Sequence, residues 1–284
     1  MFKMRNKKKQ EYSFSIISAT IGKTNRLEKL CKALKEQEYK KFELIICDQN
    51  KENFNKKLKY DYKNIKITFI KSKKGLSIAR NKGIMRAKGN YLLFLDDDIS
   101  LKKNFFKMLN QLFNINKAHI LCYKVQDNKK KPLLNYPKKS CFLRSPYQIF
   151  NSISSVSYAI SNKRKIFFNE KLGLGSRNIY QSGEETDYIL RAVKKFNYKI
   201  FFTNKLFVEH FKKEISIINE IKKSFFYGCG WGYVVKKNNL GLNFMLINIL
   251  KIFLNIFYNL LTLKFNKGII SISTFFGRIF GLIF

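Results

Sequence analysis

The apolar positions along the chain fall into short segments of two kinds. SFSIISA (13–19), FELIIC (42–47), NIKITFI (64–70) and YLLFL (91–95) are nearly unbroken apolar runs rich in β-branched and aromatic side chains. Such runs predict strands buried on both faces. Between the first two, Leu27, Leu30, Cys31 and Leu34 recur at steps of three and four, as one face of a helix does. Asn25 is its candidate N-cap, with Glu28 three residues on in capping-box position. Residues 76–88 predict another short helix, with Leu76, Ala79, Gly83, Ile84 and Ala87 facing one way, Ser77 as candidate N-cap and Gly89 ending it. Strands alternating with helices at this spacing predict a parallel sheet covered on both faces, an α/β nucleotide-binding half.

The pattern then loosens. Residues 101–113 predict a helix, 119–125 a strand with His119 as a core residue, and 155–160 a further strand. All three prolines lie between, at 132, 137 and 146, in a basic irregular stretch that reads as a loop. A turn-rich segment, GLGSRNIYQSG, leads into a helix that opens on the acidic run GEETDY, and KIFFT (199–203) is the last strand. From Leu242 to Phe265 the chain is apolar and long enough to cross a bilayer. Its polar residues Asn248, Lys251, Asn255, Asn259 and Thr262 nevertheless form a stripe on one helical face. A stripe predicts a helix lying at a membrane surface or packed on a domain in preference to a span.

Composition changes the picture in two ways. Fifty-six Lys+Arg against 19 Asp+Glu give a net charge of +37, spread along the chain and not gathered into one stripe. That spread, with no recognisable nucleic-acid motif, favours a Lys/Asn/Ile/Phe-rich coding bias together with attraction to an anionic membrane surface over nucleic acid. Five scattered cysteines without a C-x-x-C pair suggest neither a disulfide framework nor a zinc site, and a reducing compartment is expected. The basic N-terminus has no apolar h-region behind it, so a secretory signal is not expected.

Against this basic background Asp96, Asp97 and Asp98 follow YLLFL directly. Parallel sheets take their ligands at the carboxyl ends of strands, and three adjacent acids call for a cation to offset them. On spacing alone two readings stand: a divalent-metal and phosphate site, or a cap for the next helix. The GEETD cluster likewise reads as a helix N-terminus enriched in acids or as a catalytic base.

The order SIISAT, EKLCKALKEQEYKKFELIICDQN, KGLSIARNKGIMRAKGNYLLFLDDD, GLGSRNIYQSGEETDYILRA and VEH closely resembles the family 2 inverting glycosyltransferases of GT-A fold, over roughly residues 13–235. The resemblance implies an α/β fold with a mixed, mostly parallel sheet flanked by helices. It divides the chain into a basic tail (1–11), a glycosyltransferase domain (12–235) and C-terminal amphipathic, membrane-associating helices (236–284). Within the domain, 12–100 would be the nucleotide-sugar half and 101–235 the acceptor half. The resemblance implies that Ala19 and Thr20 lie beside the nucleobase, that Asp48 hydrogen-bonds it, and that Arg80 and Asn81 line the nucleotide side, although Arg80 also suits neutralisation of the aspartates. Asp96 and Asp97 would meet the ribose and the donor sugar or phosphate. Asp98, with Asp96 and His210 of VEH, would bind a divalent cation, manganese or magnesium. The family's G-E-D-x-[DE] motif appears here as G-E-E-T-D, which assigns the base to Glu185, with Glu184 or Asp187 able to share the role. Gly173, Gly175 and Ser176 would shape an acceptor-side loop, and Trp231 either stacks on an acceptor sugar or packs.

The processive members' Q-x-x-R-W motif is not found, so one sugar per encounter is expected. The expected activity is metal-dependent, inverting transfer from a nucleotide-sugar, a UDP-sugar first, to a surface-glycan or lipid-linked acceptor. Nucleic acid is not an expected partner, and the expected location is peripheral, on the inner face of the cytoplasmic membrane. The rival readings are a basic nucleic-acid-binding protein and a sugar nucleotidyltransferase.

Overall fold

The computed structural model describes residues 13–22, 25–51, 62–210 and 215–284. The basic tail (1–11) and the proposed capping side chain of Asn25 lie outside the described residues.

The first four apolar runs form β1 (Phe14–Thr20), β2 (Phe42–Asp48), β3 (Lys66–Lys71) and β4 (Tyr91–Phe94). They pair in parallel in the order β3-β2-β1-β4. Their side chains alternate between two cores, as the pleat requires. Ile16, Leu44 and Leu93 face α1 (Asn25–Lys35) and α3 (Phe105–Asn116), while Ile17, Ile45 and Leu92 join the layer of α2 (Leu76–Arg86). The predicted face of α1 is wholly buried at Leu27, Leu30, Cys31 and Leu34.

Beyond β4 the sheet becomes mixed. Its remaining strands are β5 (Ile99–Ser100), β6 (Ile120–Gln126), β7 (Cys141–Leu143), β8 (Tyr158–Ser161) and β9 (Ile200–His210). The order continues β4-β8-β6-β9-β5, with β7 on β9. β8 runs antiparallel to both neighbours, whereas β6 and β9 are parallel. The sheet is therefore the mixed, mostly parallel type with flanking helices.

Local expectations are corrected at several points. α2 is capped by Gly75, and the Ser77 hydroxyl instead donates to the Leu172 carbonyl at 2.7 Å. Gly89 is required by close approach: a Cβ there would lie 2.5 Å from the Ser15 nitrogen of β1. His119 is half-buried just ahead of β6, stacked on Tyr198 at 4.7 Å, and is not a strand-core residue. The proline-bearing stretch holds β7 and then α4 (Pro146–Ser152), started by a Ser145–Gln148 capping box. KIFFT and KLFVEH form one strand, β9, with a register shift opposite Tyr123 and Lys124.

Three helices close the chain after α5 (Glu184–Phe196): α6 (Ile217–Lys237), α7 (Leu242–Leu261) and α8 (Phe265–Ile283). α6 and α8 meet through glycines. Any Cβ on Gly228, Gly232, Gly277 or Gly281 would press into the facing helix, with Gly277 against the Phe225 carbonyl and Gly281 against that of Cys229. Arg278 locks this junction, its guanidinium 4.1 Å over the Trp231 ring and its Nη1 donating to the Asn248 carbonyl. Trp231 also faces Phe150 and Phe244, so its role here is packing.

Candidate active site

The carboxyl ends of β1, β2 and β4 converge on one edge of the sheet. Asp96 follows β4, and Asp97 and Asp98 form a turn into the two-residue β5. They do not cap the next helix, because α3 begins at Phe105 behind Asn104. β5 pairs antiparallel with the end of β9, placing Ile99 opposite His210. That register sets the His210 imidazole among the acids, with Nε2 3.3 Å from Asp98 Oδ1 and 3.6 Å from Asp96 Oδ2. Hydrogen bonds to Asp96 and Asp98 raise the His210 pKa to about 9. One ligand atom each from Asp96, Asp98 and His210 fits within a 4.8 Å span. Two carboxylates and an imidazole in that compass could hold a divalent cation.

Asp97 is turned the other way. It is buried and accepts a 2.8 Å hydrogen bond from Thr20 Oγ1, tying the end of β1 to the turn. Burial first, then its acidic neighbours, raise its pKa against that hydrogen bond. At the end of β2, Asp48 accepts from the Asn50 backbone and side-chain amides and, at 3.2 Å, from Lys71 Nζ. Ala19 and Thr20 lie in register with Cys47 and Asp48, so these positions share one corner.

Arg80 is 1% exposed and lies beneath the acids, not on a nucleotide-facing surface. Its guanidinium approaches Asp96 and Glu184 at 3.5 Å each, contacts the Ser155 hydroxyl, and rests against the Phe94 and Phe168 rings. This is the neutralising role that the sequence left open. Asn81 is buried too, exchanging hydrogen bonds with the Phe168 backbone and donating to Glu170. It holds the 168–170 segment and does not line the cleft.

The second acidic group opens α5. Gly183, at φ +82°, caps the helix in a left-handed conformation that glycine adopts without strain. Glu184 is buried beside the half-buried Glu185, whose Oε2 is enclosed without a hydrogen-bond partner among the described residues. Burial, then Glu185, push the Glu184 pKa well above the usual carboxylate range, against the opposing pull of Arg80. Asp187 is fully buried and clamped by Arg191 at 2.7 Å, Lys237 at 3.0 Å and Asn238 at 3.2 Å. It joins α5 to the end of α6, and no face of it is left for a substrate. The 172–181 loop lies across the start of α2, where Leu76 donates to the Leu174 carbonyl and Gly175 accepts the approach of Gly75. A Cβ on Gly173 would stand 3.0 Å from the Glu184 carboxyl, so this loop roofs the acid pair.

Two residues near these acids carried no signal in the sequence. Ser155 precedes β8 and reaches Arg80 only through the fold. Tyr227, on α6, is half-buried, and desolvation together with Glu184, Glu185 and Asp96 nearby pushes its phenol up.

The sequence model of the family described as glycosyl transferase family 2 matches residues 15–174. Among relatives, the chain is 24% identical over 253 residues to a cholesterol galactosyltransferase of Borreliella burgdorferi, spanning 83% of this chain and 67% of that protein. It is 32% identical over 111 residues to the GalNAc(5)-diNAcBac-PP-undecaprenol beta-1,3-glucosyltransferase of Campylobacter jejuni, spanning 37% and 36% of the two chains. Among solved structures, S. aureus TarS residues 1–349 in complex with UDP-GlcNAc superposes with a TM-score of 0.59 at 15% identity, covering 80% of this chain and 71% of that one. That last likeness is one of fold.

Proposed function

The chain belongs to glycosyl transferase family 2, and from that premise we propose that it is an inverting, metal-dependent enzyme. It moves one sugar per encounter from a nucleotide-sugar, a UDP-sugar first, to a hydroxyl of a lipid-carried surface glycan. The observation that carries this reading is the convergence of Asp96, Asp98 and His210 with the separate Glu184–Glu185 pair across the buried Arg80.

In this reading the Asp48 corner, with Ala19 and Thr20, receives the nucleoside. Asp96, Asp98 and His210 hold the divalent cation, which when bound offsets charge on the departing nucleoside diphosphate. Asp97 contributes by fixing the turn through Thr20, within reach of the donor-binding corner. Glu185 takes the proton of the acceptor hydroxyl, being the more accessible of the two glutamates. Glu184 holds Glu185 from below, and Arg80 keeps both acid groups in place. Asp187 has no part in proton transfer.

A lipid-linked acceptor draws support from the Campylobacter relative, whose name specifies an undecaprenol-linked substrate. It agrees with a peripheral position on the inner face of the cytoplasmic membrane.

The test is a panel of nucleotide-sugars assayed with Mn²⁺ or Mg²⁺ for release of nucleoside diphosphate. Glu185→Gln should lower turnover by about 10²- to 10⁴-fold while donor-induced thermal stabilisation persists. Release of pyrophosphate would point to a nucleotidyltransferase instead. Unchanged turnover in Glu185→Gln would remove that residue as the base.

A further inference from the structure

α7 makes its bonds to the protein through its polar flank, which stays partly open to solvent: Lys251 Nζ donates to the Tyr147 hydroxyl of α4, and the Asn255 amide to Ser271 of α8. Asn259 is buried, and the Asn248 carbonyl takes the Arg278 hydrogen bond. The opposite face is apolar and uncovered. Leu246, Ile247, Leu250, Phe253, Leu254 and Phe257 are each between 46% and 58% exposed, on a 20-residue helix long and apolar enough to cross a membrane. α8 adds Ile269, Phe276 and Ile283, exposed at steps of seven. A soluble amphipathic helix does the reverse, and an apolar face of this length marks an interaction surface.

Charge decides among occupants. From residue 221 to 284 there is no Asp or Glu; apart from Lys237, ion-paired with Asp187, and Arg278, packed on Trp231, six lysines (Lys222, Lys223, Lys236, Lys251, Lys264, Lys267) are exposed. Two copies meeting through this segment would bring like charges together, whereas an anionic bilayer attracts both the charges and the apolar face. The polar flank, with Lys251 at mid-helix and bonded to α4, argues against a crossing helix. It fits one lying in the membrane plane.

We propose that the outer face of α7, extended by α8, is the surface on which this protein docks to an anionic phospholipid bilayer, with α7 lying at the boundary between headgroups and acyl chains. The proposal rests on the peripheral location in the functional reading above and supplies its physical basis. The same helices hold the catalytic half. α8 is packed into α6, and α6 carries Tyr227 beside the acids and Lys237 on Asp187. Docking through α7 therefore keeps the cleft at a fixed height above the lipid surface, where a lipid-borne acceptor is presented.

Deleting 242–284 would strip α8 from α6 and confuse docking with folding, so the experiment uses point variants of the full chain. Leu250→Glu/Phe257→Glu is compared with wild type by co-sedimentation with phosphatidylcholine vesicles, with and without one quarter phosphatidylglycerol. Wild type should bind the anionic vesicles at least tenfold more strongly than the neutral ones, and the double variant should lose at least tenfold of that binding. Leu250→Ala/Phe257→Ala, a milder change, should lie between. Thermal stabilisation by UDP with Mn²⁺ is measured on each variant. Its persistence shows an intact fold and donor site, so a failure of docking and a failure of the glycosyltransferase reading are told apart. Undiminished vesicle binding by the glutamate variant overturns the proposal. So does a wild-type dimer in solution that these substitutions turn into monomer without any change in vesicle binding.

Discussion

The guanidinium of Arg80 stands 3.5 Å from Glu184 Oε1, joining the second helix of the nucleotide half to the helix that opens on the acid pair. The same group lies 3.5 Å from Asp96, so one buried cation serves both acidic clusters. It has two aromatic rings at its sides and 1% of its surface exposed. Water cannot take its place.

Replacing Arg80 by Met should leave Glu184 buried without its counter-charge. Removing one partner of a buried pair costs about 3–5 kcal/mol, and contacts of 3.5 Å place this case near about 3. Arg80→Lys should recover only part, because an ammonium cannot reach both carboxylates with the spread of a guanidinium. Urea denaturation measures both; equal stability of the Met variant and wild type would refute the buried-pair account.

Glu184 titrates above its ordinary range, chiefly through burial. A carboxyl whose folded pKa is raised binds its proton more tightly in the folded state. Its contribution to stability is therefore complete below the unfolded value near 4.5 and is lost as pH climbs through the higher folded value. Glu184→Gln removes the titration, so the melting temperature of the variant should gain on wild type as pH rises from 5 to 9. Parallel profiles would count against the raised pKa.

Asp98→Asn should weaken the cation site by removing one of two carboxylates. In wild type, UDP with Mn²⁺ at a hundred times its dissociation constant should add about 2.7 kcal/mol of stability. In Asp98→Asn or His210→Ala at the same concentrations most of that gain should vanish, while the melting point without metal stays within a few degrees. Differential scanning fluorimetry with an EDTA control reads it directly.

The α6–α8 contact allows a mechanical test. Gly277→Ala would thrust a methyl group against the Phe225 carbonyl, and backbone cannot yield as a side chain does. Overpacking of this kind costs about 1–3 kcal/mol. The sole tryptophan, Trp231, sits under Arg278 at this junction, so its emission should shift with the loss of stability.

Much of this architecture was legible in the sequence because local pattern and global fold agree there. The runs at 13–19, 42–47 and 91–95 are apolar on both faces because helices cover both faces of the sheet, and β1, β2 and β4 follow from that alone. The face of α1 was readable for the same reason. Ser77 misled because a serine near a helix start caps often, yet here its hydroxyl serves the Leu172 carbonyl across the fold. β5 and β7, of two and three residues, are too short for any periodicity to reveal. They exist because β9 offers them an edge.

The residue types of the candidate site, their order along the chain and the family they mark were all determined by sequence. Which acids work together was not. Asp97 and Asp98 are adjacent, yet the turn sends one to Thr20 and the other to His210. Glu185 and Asp187 lie two apart, yet helical rotation leaves one partly open and buries the other under Arg191 and Lys237. The apolar stripe of α7 was plain in the sequence, but which side it would face was not. Periodicity records that a helix has two faces, and only the placement of Tyr147, Ser271 and Arg278 against it turns the polar one toward the protein.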